Sequence, residues 1–460
     1  MKTYQDLTTV GKYESNRMEF VLSAIADHKN SDEYRTARDA EEYYANRNVT
    51  MARYRKVLYN TLGQAVPDLI SPNYKLSHGF FRRFVIQEVQ YVLSNGVIFE
   101  KDETKGKLGK NFDNQIQRAA KKALIDGVSF GFWNYDHLEV FGFADTKKEP
   151  GFAPLYDADT GLLRAGIRYW ESNSQSYRFT LYEEDGYTEY IKRKDEDMEV
   201  LTEKQPYIKT TKRTDIGGVE DVEGSNYPGF PIIPFYANDI KESELPIVRA
   251  SIDCYDFIKS GMANNVDEAS AFYWTLNNTG GMDEDGDLMK FVERMKLVKA
   301  VVLQEGVDAQ AHTIDVPVEA NEKLLDRLRK DMYEDFMLVD VERAVSGDIT
   351  ATGIRLAYQP QDDKCGDFEY CIRDFIAKLF NLLGIDDEPS FKWNRIANQT
   401  EETQMIMTAA SELGTELVLK KLPFLTPEEV ETRLKELSAE DMARFSAPVV
   451  DETTEELAEG

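Results

Sequence analysis

The side chains that most often take part in chemistry are few and scattered in this chain. The histidines and cysteines are His28, His78, His137, His312, Cys254, Cys365 and Cys371. No two cysteines form a CxxC pair, and the histidines do not follow them at zinc-ligand spacing, so a structural zinc site has no ligand set. The same cysteine usage argues against a disulfide framework and indicates a reducing compartment.

Paired carboxylates and paired glycines predict neither catalysis nor nucleotide binding. With 83 Asp and Glu residues, pairs such as Glu183-Glu184 arise by chance, and nothing brings two of them to a catalytic separation. Gly217-Gly218 and Gly280-Gly281 lack the residues of a phosphate-binding loop, so they predict turns. We therefore expect no catalytic residue, no metal and no cofactor.

The composition favours a soluble protein of two or three folded units. The chain has 460 residues, 42% of them hydrophobic, and a net charge of −28. A general nucleic-acid binder carries a basic face, and the excess of acidic over basic residues does not favour one. The segment Met1–Asp6 lacks the apolar core of a secretory signal, and no apolar run reaches the roughly 18 residues of a spanning helix. We expect a cytoplasmic protein without a membrane partner.

The N-terminal half combines helices with an antiparallel sheet. Residues 11–48 predict two helices, the second capped by Ser31, and residues 78–93 and 111–126 predict two more, the last ending at Gly127. Five stretches between residues 138 and 236 are rich in β-branched and aromatic residues, with Asp185-Gly186 as a hairpin signal. They are residues 165–170, 177–182, 187–192, 199–202 and 207–211.

The C-terminal half is mainly helical. Residues 246–272 predict a helix about 40 Å long, and residues 318–345 predict a second one. Between them lie a turn-rich break (277–286), a short helix (288–295) and two strands (297–303 and 309–315). A small polar loop (346–353) leads to a third helix from 354. The remainder is predicted to be helical, with Pro423 and Pro427 between elements, and the acidic residues 451–460 are expected to be disordered.

Six short segments stand in a particular order along the chain. They are Tyr43-Tyr44, residues 84–96, residues 165–169, residues 229–235, Asp253-Cys254-Tyr255-Asp256 with Ser260, and residues 351–356. In this order, over about residues 43–437, they resemble the portal proteins of tailed bacteriophages, in the branch from long-tailed phages of Gram-positive hosts. Thr352 and Arg355 depart from the family pattern, which has Ser and a small residue there.

The resemblance implies an α+β, mainly helical portal fold with a β-rich wing layer, long stem helices and a small α/β clip. The implied regions are a wing (1–245 and 354–397), stem helices (246–272 and 318–345), a clip (273–317), a tunnel loop (346–353), and a crown with an acidic tail (398–460). The tunnel loop would face the DNA channel through Ser346, Gly347, Asp348, Ile349, Thr350, Ala351, Thr352 and Gly353. The stem helices would pack through Ile252, Tyr255, Met262 and Met332.

The resemblance also implies the partners. About twelve copies would form a ring at one capsid vertex of the virion, after assembly in the host cytoplasm. The ring would contact the terminase large subunit, the head–tail adaptor, and the major capsid and scaffolding proteins, and double-stranded DNA would pass through it. Two alternatives remain open from the residues: an acidic multidomain carboxylate-dependent hydrolase, and a capsid or scaffold protein without a channel.

Overall fold

A computed structural model describes most of the chain and divides it into two units. It describes all residues except 12, 60–62, 69–70, 174, 214–218, 270–272, 278–307, 313–317, 343–350, 395–398, 423–424, 426 and 447–460. The first unit joins Met1–Val341 with Tyr358–Asn394, and the second joins Glu342–Ala357 with Arg395–Gly460. The described elements confirm the predicted α+β class.

Helices dominate the first part of the chain. They are α1 (Tyr4–Val10), α2 (Glu14–Asn30), α3 (Asp32–Tyr44), α4 (Val49–Arg53), α5 (Phe80–Leu93), α6 (Asp102–Leu108) and α7 (Phe112–Asp126), with short strands β1 (Val57–Tyr59), β2 (Ala65–Pro67) and β3 (Ile98–Phe99) between them. Ser31 caps α3 as predicted, because its hydroxyl accepts the Tyr34 N–H at 3.1 Å. Gly127 ends α7 in the left-handed conformation, as predicted.

Ten further strands follow in the chain. They are β4 (Val128–Asn134), β5 (His137–Gly142), β6 (Gly151–Tyr156), β7 (Leu163–Asn173), β8 (Ser176–Glu183), β9 (Gly186–Arg193), β10 (Met198–Gln205), β11 (Ile208–Arg213), β12 (Val219–Ser225) and β13 (Ile232–Tyr236). Eight of them form one sheet in the order β10-β9-β8-β7-β6-β5-β4-β13. The sheet is antiparallel except at β5 and β6, where Gly142 pairs with Gly151 in parallel.

The prediction of an antiparallel sheet is confirmed, but it was incomplete. Strands β4, β5, β6 and β12 were not among the predicted stretches. In β4, six of the seven residues are buried, and the sequence lacks the alternation that marks a half-buried strand. The predicted strand 207–211 lies in β11, which pairs with β12 in a separate hairpin. The Asp185-Gly186 turn is confirmed, since Glu183 pairs with Gly186 across β8 and β9.

The two long helices are α8 (Leu245–Ala269) and α9 (Val318–Asp335), and they pack against each other. Between them, β14 (Tyr273–Asn277) and β15 (Asp308–His312) form an antiparallel pair. Strand β15 agrees with the prediction for 309–315, whereas no strand was predicted at β14. The predicted helix 288–295 and strand 297–303 lie outside the described residues.

The second long helix is shorter than predicted. Helix α9 ends at Asp335, and the prediction of a helix to residue 345 is wrong. The backbone turns at Met337, whose φ is +58°, and the Leu338 N–H closes the turn by donating to the Tyr333 carbonyl at 3.0 Å. Glycine usually occupies such a position. Because Leu338 and Val339 are buried, the apolar pattern continues beyond the end of the helix.

The third long helix, α10 (Ala351–Leu383), starts three residues earlier than predicted. Ala351, Thr352 and Gly353 are therefore helical, and their assignment to the loop 346–353 is wrong. The other five loop residues lie outside the described residues. Pro360 lies inside α10, where it lacks an N–H to donate.

Short elements complete the chain. Strand β16 (Pro389–Ser390) pairs with β3, and four helices follow it: α11 (Gln399–Thr408), α12 (Ala410–Leu413), α13 (Thr415–Lys421) and α14 (Pro427–Ser446). The predicted helical C-terminal part is confirmed, but Pro427 begins a helix instead of separating two. Pro423 and residues 451–460 lie outside the described residues. None of the described helices combines the length and apolarity needed to cross a membrane.

Candidate functional site: the two long helices and their supports

The buried face of α8 changes from apolar to polar along the helix. Leu245, Val248 and Ile252 are buried, and the same face continues with Asp256 and Ser260, which are also buried. These residues are three or four positions apart, so they lie on one side of the helix. Asp256 and Ser260 therefore need hydrogen-bond partners in the rest of the protein.

A short extended segment supplies those partners. We call residues 74–78 the strap. The side-chain oxygens of Asn264, Ser260 and Asp256 accept the backbone N–H groups of Tyr74, Leu76 and His78 at 2.7, 3.0 and 3.1 Å. These three bonds, which we call the ladder, satisfy backbone donors that have no strand partner. The ladder fixes the strap along the C-terminal half of α8.

Asp256 is the most connected residue of the ladder. Its carboxylate also lies 2.6 Å from His78 Nδ1 and accepts the side-chain amide of Asn48 at 2.8 Å. Burial raises the pKa of Asp256 above its ordinary value, and the hydrogen bonds from Asn48 and His78 oppose that change. One turn earlier on α8, Asp253 accepts the Tyr43 hydroxyl. Helix α8 is thus bound to the end of α3, the start of α4 and the strap.

Four residues of the sequence resemblance meet at this junction. Tyr43, Asp253, Asp256 and Ser260 were singled out as a pattern, and the structure gives each of them a hydrogen-bonding role. Sequence reasoning did not identify the strap, because its N–H groups carry no side-chain signal.

Helix α9 is held by aromatic contacts with α5. The rings of Phe84 and Phe336 stack with centroids 4.9 Å apart, and Tyr333 meets Phe84 edge-on at 5.0 Å. Met332 and Phe336 have no exposed surface. Such packing fixes the C-terminal end of α9 on the helical N-terminal region.

Lys364 of α10 joins four parts of the first unit. Its ammonium lies 3.1 Å from Glu88 of α5 and 2.9 Å from Glu244, which precedes α8. It also lies 3.5 Å from the ring centroid of Phe336 at the end of α9. Burial raises the pKa of Glu88 to about 7, against the opposing effect of Lys364. Burial alone would lower the pKa of Lys364, but the two carboxylates outweigh it and raise that pKa.

Two glutamines hold the segment that follows α9. The Val339 carbonyl accepts the Gln87 amide at 2.9 Å, and the Val339 N–H donates to Gln361 Oε1 at 3.1 Å. Gln87 also donates to Gln361 at 3.3 Å. The chain therefore leaves α9 along a path defined by α5 and α10.

The predicted packing residues are divided between two environments. Ile252 and Met332 are fully buried, whereas Tyr255 and Met262 are partly buried. The Tyr255 ring meets His78 and Phe80 edge-on, at 5.0 and 4.9 Å. Tyr255 therefore packs on the strap and the start of α5.

The described residues offer little basis for metal or thiol chemistry. No described group of three or more His, Cys, Asp or Glu residues could hold a metal ion. Burial raises the pKa of Cys365, and it raises the pKa of Cys371 to about 11. Both thiols are therefore protonated at neutral pH and react slowly as nucleophiles.

The solvent-facing side of α9 is charged and internally paired. Lys323 with Glu319, Arg327 with Asp331 and Lys330 with Glu334 form ion pairs four residues apart. The helix carries six acidic and four basic residues, a net charge of −2. Ion pairs of this kind support the exposed side of a helix by a few tenths of a kcal/mol each.

Comparisons with known proteins found two similar sequences and a similar solved structure. The portal protein of Clostridium phage phiCD119 is 22% identical over 387 residues, which cover 76% of this chain and 82% of the relative. The portal protein of Bacillus phage SPP1 is 22% identical over 413 residues, covering 83% of this chain and 80% of the relative. A chain in the virion of a native gene transfer agent particle aligns with a TM-score of 0.44 and 13% identity, over 77% of this chain and 89% of that one.

A family model matches nearly the whole chain. The family described as phage portal protein, SPP1 Gp6-like, matches residues 24–443. This range includes the sheet, both long helices, the strap and the Lys364 junction. The chain therefore belongs to the SPP1 Gp6-like family of phage portal proteins.

Proposed function

We propose that the chain is the subunit of a ring of about twelve copies that forms a channel for double-stranded DNA. The family match over residues 24–443 carries this proposal. In it, the ring occupies one capsid vertex of the virion and assembles in the host cytoplasm. Its partners are the terminase large subunit during packaging, then the head–tail adaptor, together with the major capsid and scaffolding proteins. The chain itself performs no catalysis.

Each region has a place in the proposed ring. Helices α8 and α9 are the stem, and residues 273–317 are the clip that docks terminase. Residues 346–350 are the tunnel loop, shortened because α10 begins at Ala351. Residues 1–245 and 354–397 form the wing, and residues 398–460 form the crown and tail. The strap and the Lys364 junction would then connect the stem to the wing.

Apolar side chains on the outer faces of α8 and α9 support assembly. Ile247 and Phe257 on α8 are 47% and 50% exposed, and Leu324 on α9 is 47% exposed. A subunit interface would remove this surface from water at a gain of about 25 cal/mol per Å². Met262, which is partly covered within one subunit, would be covered further in the ring.

The acidic charge of the chain supports sliding of DNA. About twelve chains of charge −28 carry roughly −336 in total. Tight DNA binding depends on cations that displace counterions from the phosphates. A channel wall with acidic residues would repel the duplex and leave it free to move.

Mass photometry and negative-stain microscopy of the purified chain test the proposal. We expect particles of roughly 630 kDa, about twelve times the 52.7 kDa chain, with a central hole. A chain that stays monomeric over the accessible concentration range would contradict the ring. A monomer with hydrolytic activity would favour the hydrolase alternative, and a closed oligomer without a hole would favour the scaffold alternative.

A further inference from the structure

A basic arm stands out in this acidic chain. We call the described residues between positions 53 and 76, which leave out 60–62 and 69–70, the arm; its last residues belong to the strap. It contains four basic residues, Arg53, Arg55, Lys56 and Lys75, and one acidic residue, Asp68. The arm therefore has a net charge of +3, and the rest of the chain has −31. Arg53 and Arg55 are exposed, and neither forms an ion pair with a described residue of its own chain.

The described part of the arm is an isolated hairpin with apolar side chains in solvent. Strands β1 and β2 pair with each other through three residue pairs and with no other described strand. Val57 and Val66 in these strands are 46% and 39% exposed, and Tyr54 and Tyr74 at the two ends are 40% and 52% exposed. A two-stranded hairpin alone is marginally stable in water, and edges that pair with no described strand offer backbone groups to a partner.

The base of the arm is fixed, so its direction is set before any partner binds. The Lys75 ammonium donates to the carbonyls of Ala52 and Tyr54 at 3.1 and 3.0 Å. Tyr74 and Leu76 are bonded to α8 through the ladder. A preorganised arm loses less conformational entropy on docking than a free chain would.

We propose that the arm docks on an acidic surface of the adjacent copy of this chain. The inference rests on the proposed ring. Subunits in a ring meet through two different surfaces, since each contact is head-to-tail. An arm of charge +3 and a remainder of charge −31 supply such a complementary pair within one sequence. The exposed apolar side chains of Val57 and Val66 favour a protein surface over DNA, because phosphates offer them no burial.

A charge-reversal variant tests the electrostatic part. Arg53→Glu with Arg55→Glu should raise the protein concentration for half-maximal ring assembly about tenfold at low salt. The difference should narrow at high salt, which screens exposed charges. The matched control is Lys147→Glu with Lys148→Glu, the same charge change on an exposed loop, and it should assemble like wild type. Equal assembly of the two variants at every salt concentration would contradict the proposal.

A photocrosslink tests the identity of the partner. Val66→Cys, made with Cys254→Ser to remove the exposed thiol, is labelled with a benzophenone maleimide and irradiated in the presence of duplex DNA. We expect a covalent dimer that the Cys254→Ser parent does not form. Adducts only with DNA, or only within one chain, would overturn the inference. If wild type forms no ring, the proposed function fails. If wild type forms rings but the labelled variant gives no crosslinked dimer, only the arm inference fails.

Discussion

The ammonium of Lys364 lies 3.5 Å from the centroid of the Phe336 ring, at the point where α9 ends. The same ammonium pairs with the side chains of Glu88 and Glu244, which have 1% and 5% exposed surface. Buried carboxylates without a cation are costly. Lys364 therefore helps to set the position of α9 relative to α5, α8 and α10.

Replacing Lys364 should strongly destabilise the first unit. Lys364→Met leaves Glu88 and Glu244 buried without their cation, and we expect a loss of about 3–5 kcal/mol in the free energy of unfolding. Urea titration followed by circular dichroism measures it. The control is Lys378→Met on the same helix, where an exposed pair with Asp374 is lost, and it should change stability by less than about 1 kcal/mol. A Lys364→Met variant as stable as that control would contradict the assigned role.

The stability of the chain should fall as the pH rises through the titration range of Glu88. Its pKa is about 7 in the folded chain and 4.5 ordinarily, so the folded state binds the extra proton between these values. Deprotonation then destabilises the fold, by about 3 kcal/mol in total.

Glu88→Gln should remove this dependence. The free energy of unfolding of the variant relative to wild type is measured at about pH 5 and about pH 8. The free energy of unfolding of the variant should increase relative to that of wild type as the pH rises, because glutamine stays neutral. Glu103→Gln, at a largely exposed position, should show no such change. A constant difference between Glu88→Gln and wild type would show that Glu88 is ionised over the whole range.

Removing the central acceptor of the ladder should loosen the strap. Ser260→Ala leaves the N–H of Leu76 without its acceptor, at a cost of about 1 kcal/mol. Hydrogen exchange of the Leu76 and His78 amides should accelerate, while that of the α5 amides should not. Ser251→Ala, a change of the same kind on α8, should leave the strap amides protected. Unchanged exchange at Leu76 in Ser260→Ala would rule out the ladder in solution.

A charge on the partly covered side of α8 should interfere with assembly more than with folding. Met262→Asp places a carboxylate where the proposed ring would cover the side chain, at a cost of several kcal/mol per contact. Size-exclusion chromatography with light scattering should show fewer rings, and Met262→Leu should form them normally. Normal rings in Met262→Asp would remove this residue from the proposed interface.

The tunnel-loop proposal is tested at Asp348, which lies outside the described residues. In a collar around DNA, Asp348→Arg would add cations that bind phosphates and retain the duplex. Rings should assemble, but DNA packaging should fall, and more at low salt than at high salt. Asp348→Asn, which removes the charge and adds no cation, should have a smaller effect. Wild-type packaging by Asp348→Arg at every salt concentration would place the loop away from the channel.

Local signals in the sequence predicted much of the fold. The apolar spacing of α5, α7 and α8, the cap at Ser31 and the stop at Gly127 all act within a few residues, so they can be read without the rest of the structure. The end of α9 was missed because Met337 takes the left-handed position usual for glycine.

The supports of the long helices could not be predicted from local patterns. Asp256 and Ser260 continue the buried face of α8 as polar residues, and their partners, Leu76 and His78, are about 180 positions away in the chain. Lys364, Glu88 and Glu244 are also far from one another in sequence. In the sequence, charged residues such as these predict solvent exposure, and only the folded structure shows that they contact one another.

The ladder also determines the axial position of α8 relative to the strap, because the two segments have different repeat lengths. Four helical residues advance about 6.0 Å, and two extended residues advance about 6.6 Å, so the two scales separate by about 0.6 Å at each step. Over two steps the positions coincide well enough for three hydrogen bonds. The next donor position towards the N-terminus of the strap is Pro72, which has no N–H. In the other direction the strap ends where α5 begins at Phe80, and the corresponding residue of α8 is the apolar Ile252. A shift of α8 by one turn would leave the buried side chain of Asp256 or Ser260 without its N–H donor, so only one axial position of the helix makes all three hydrogen bonds of the ladder.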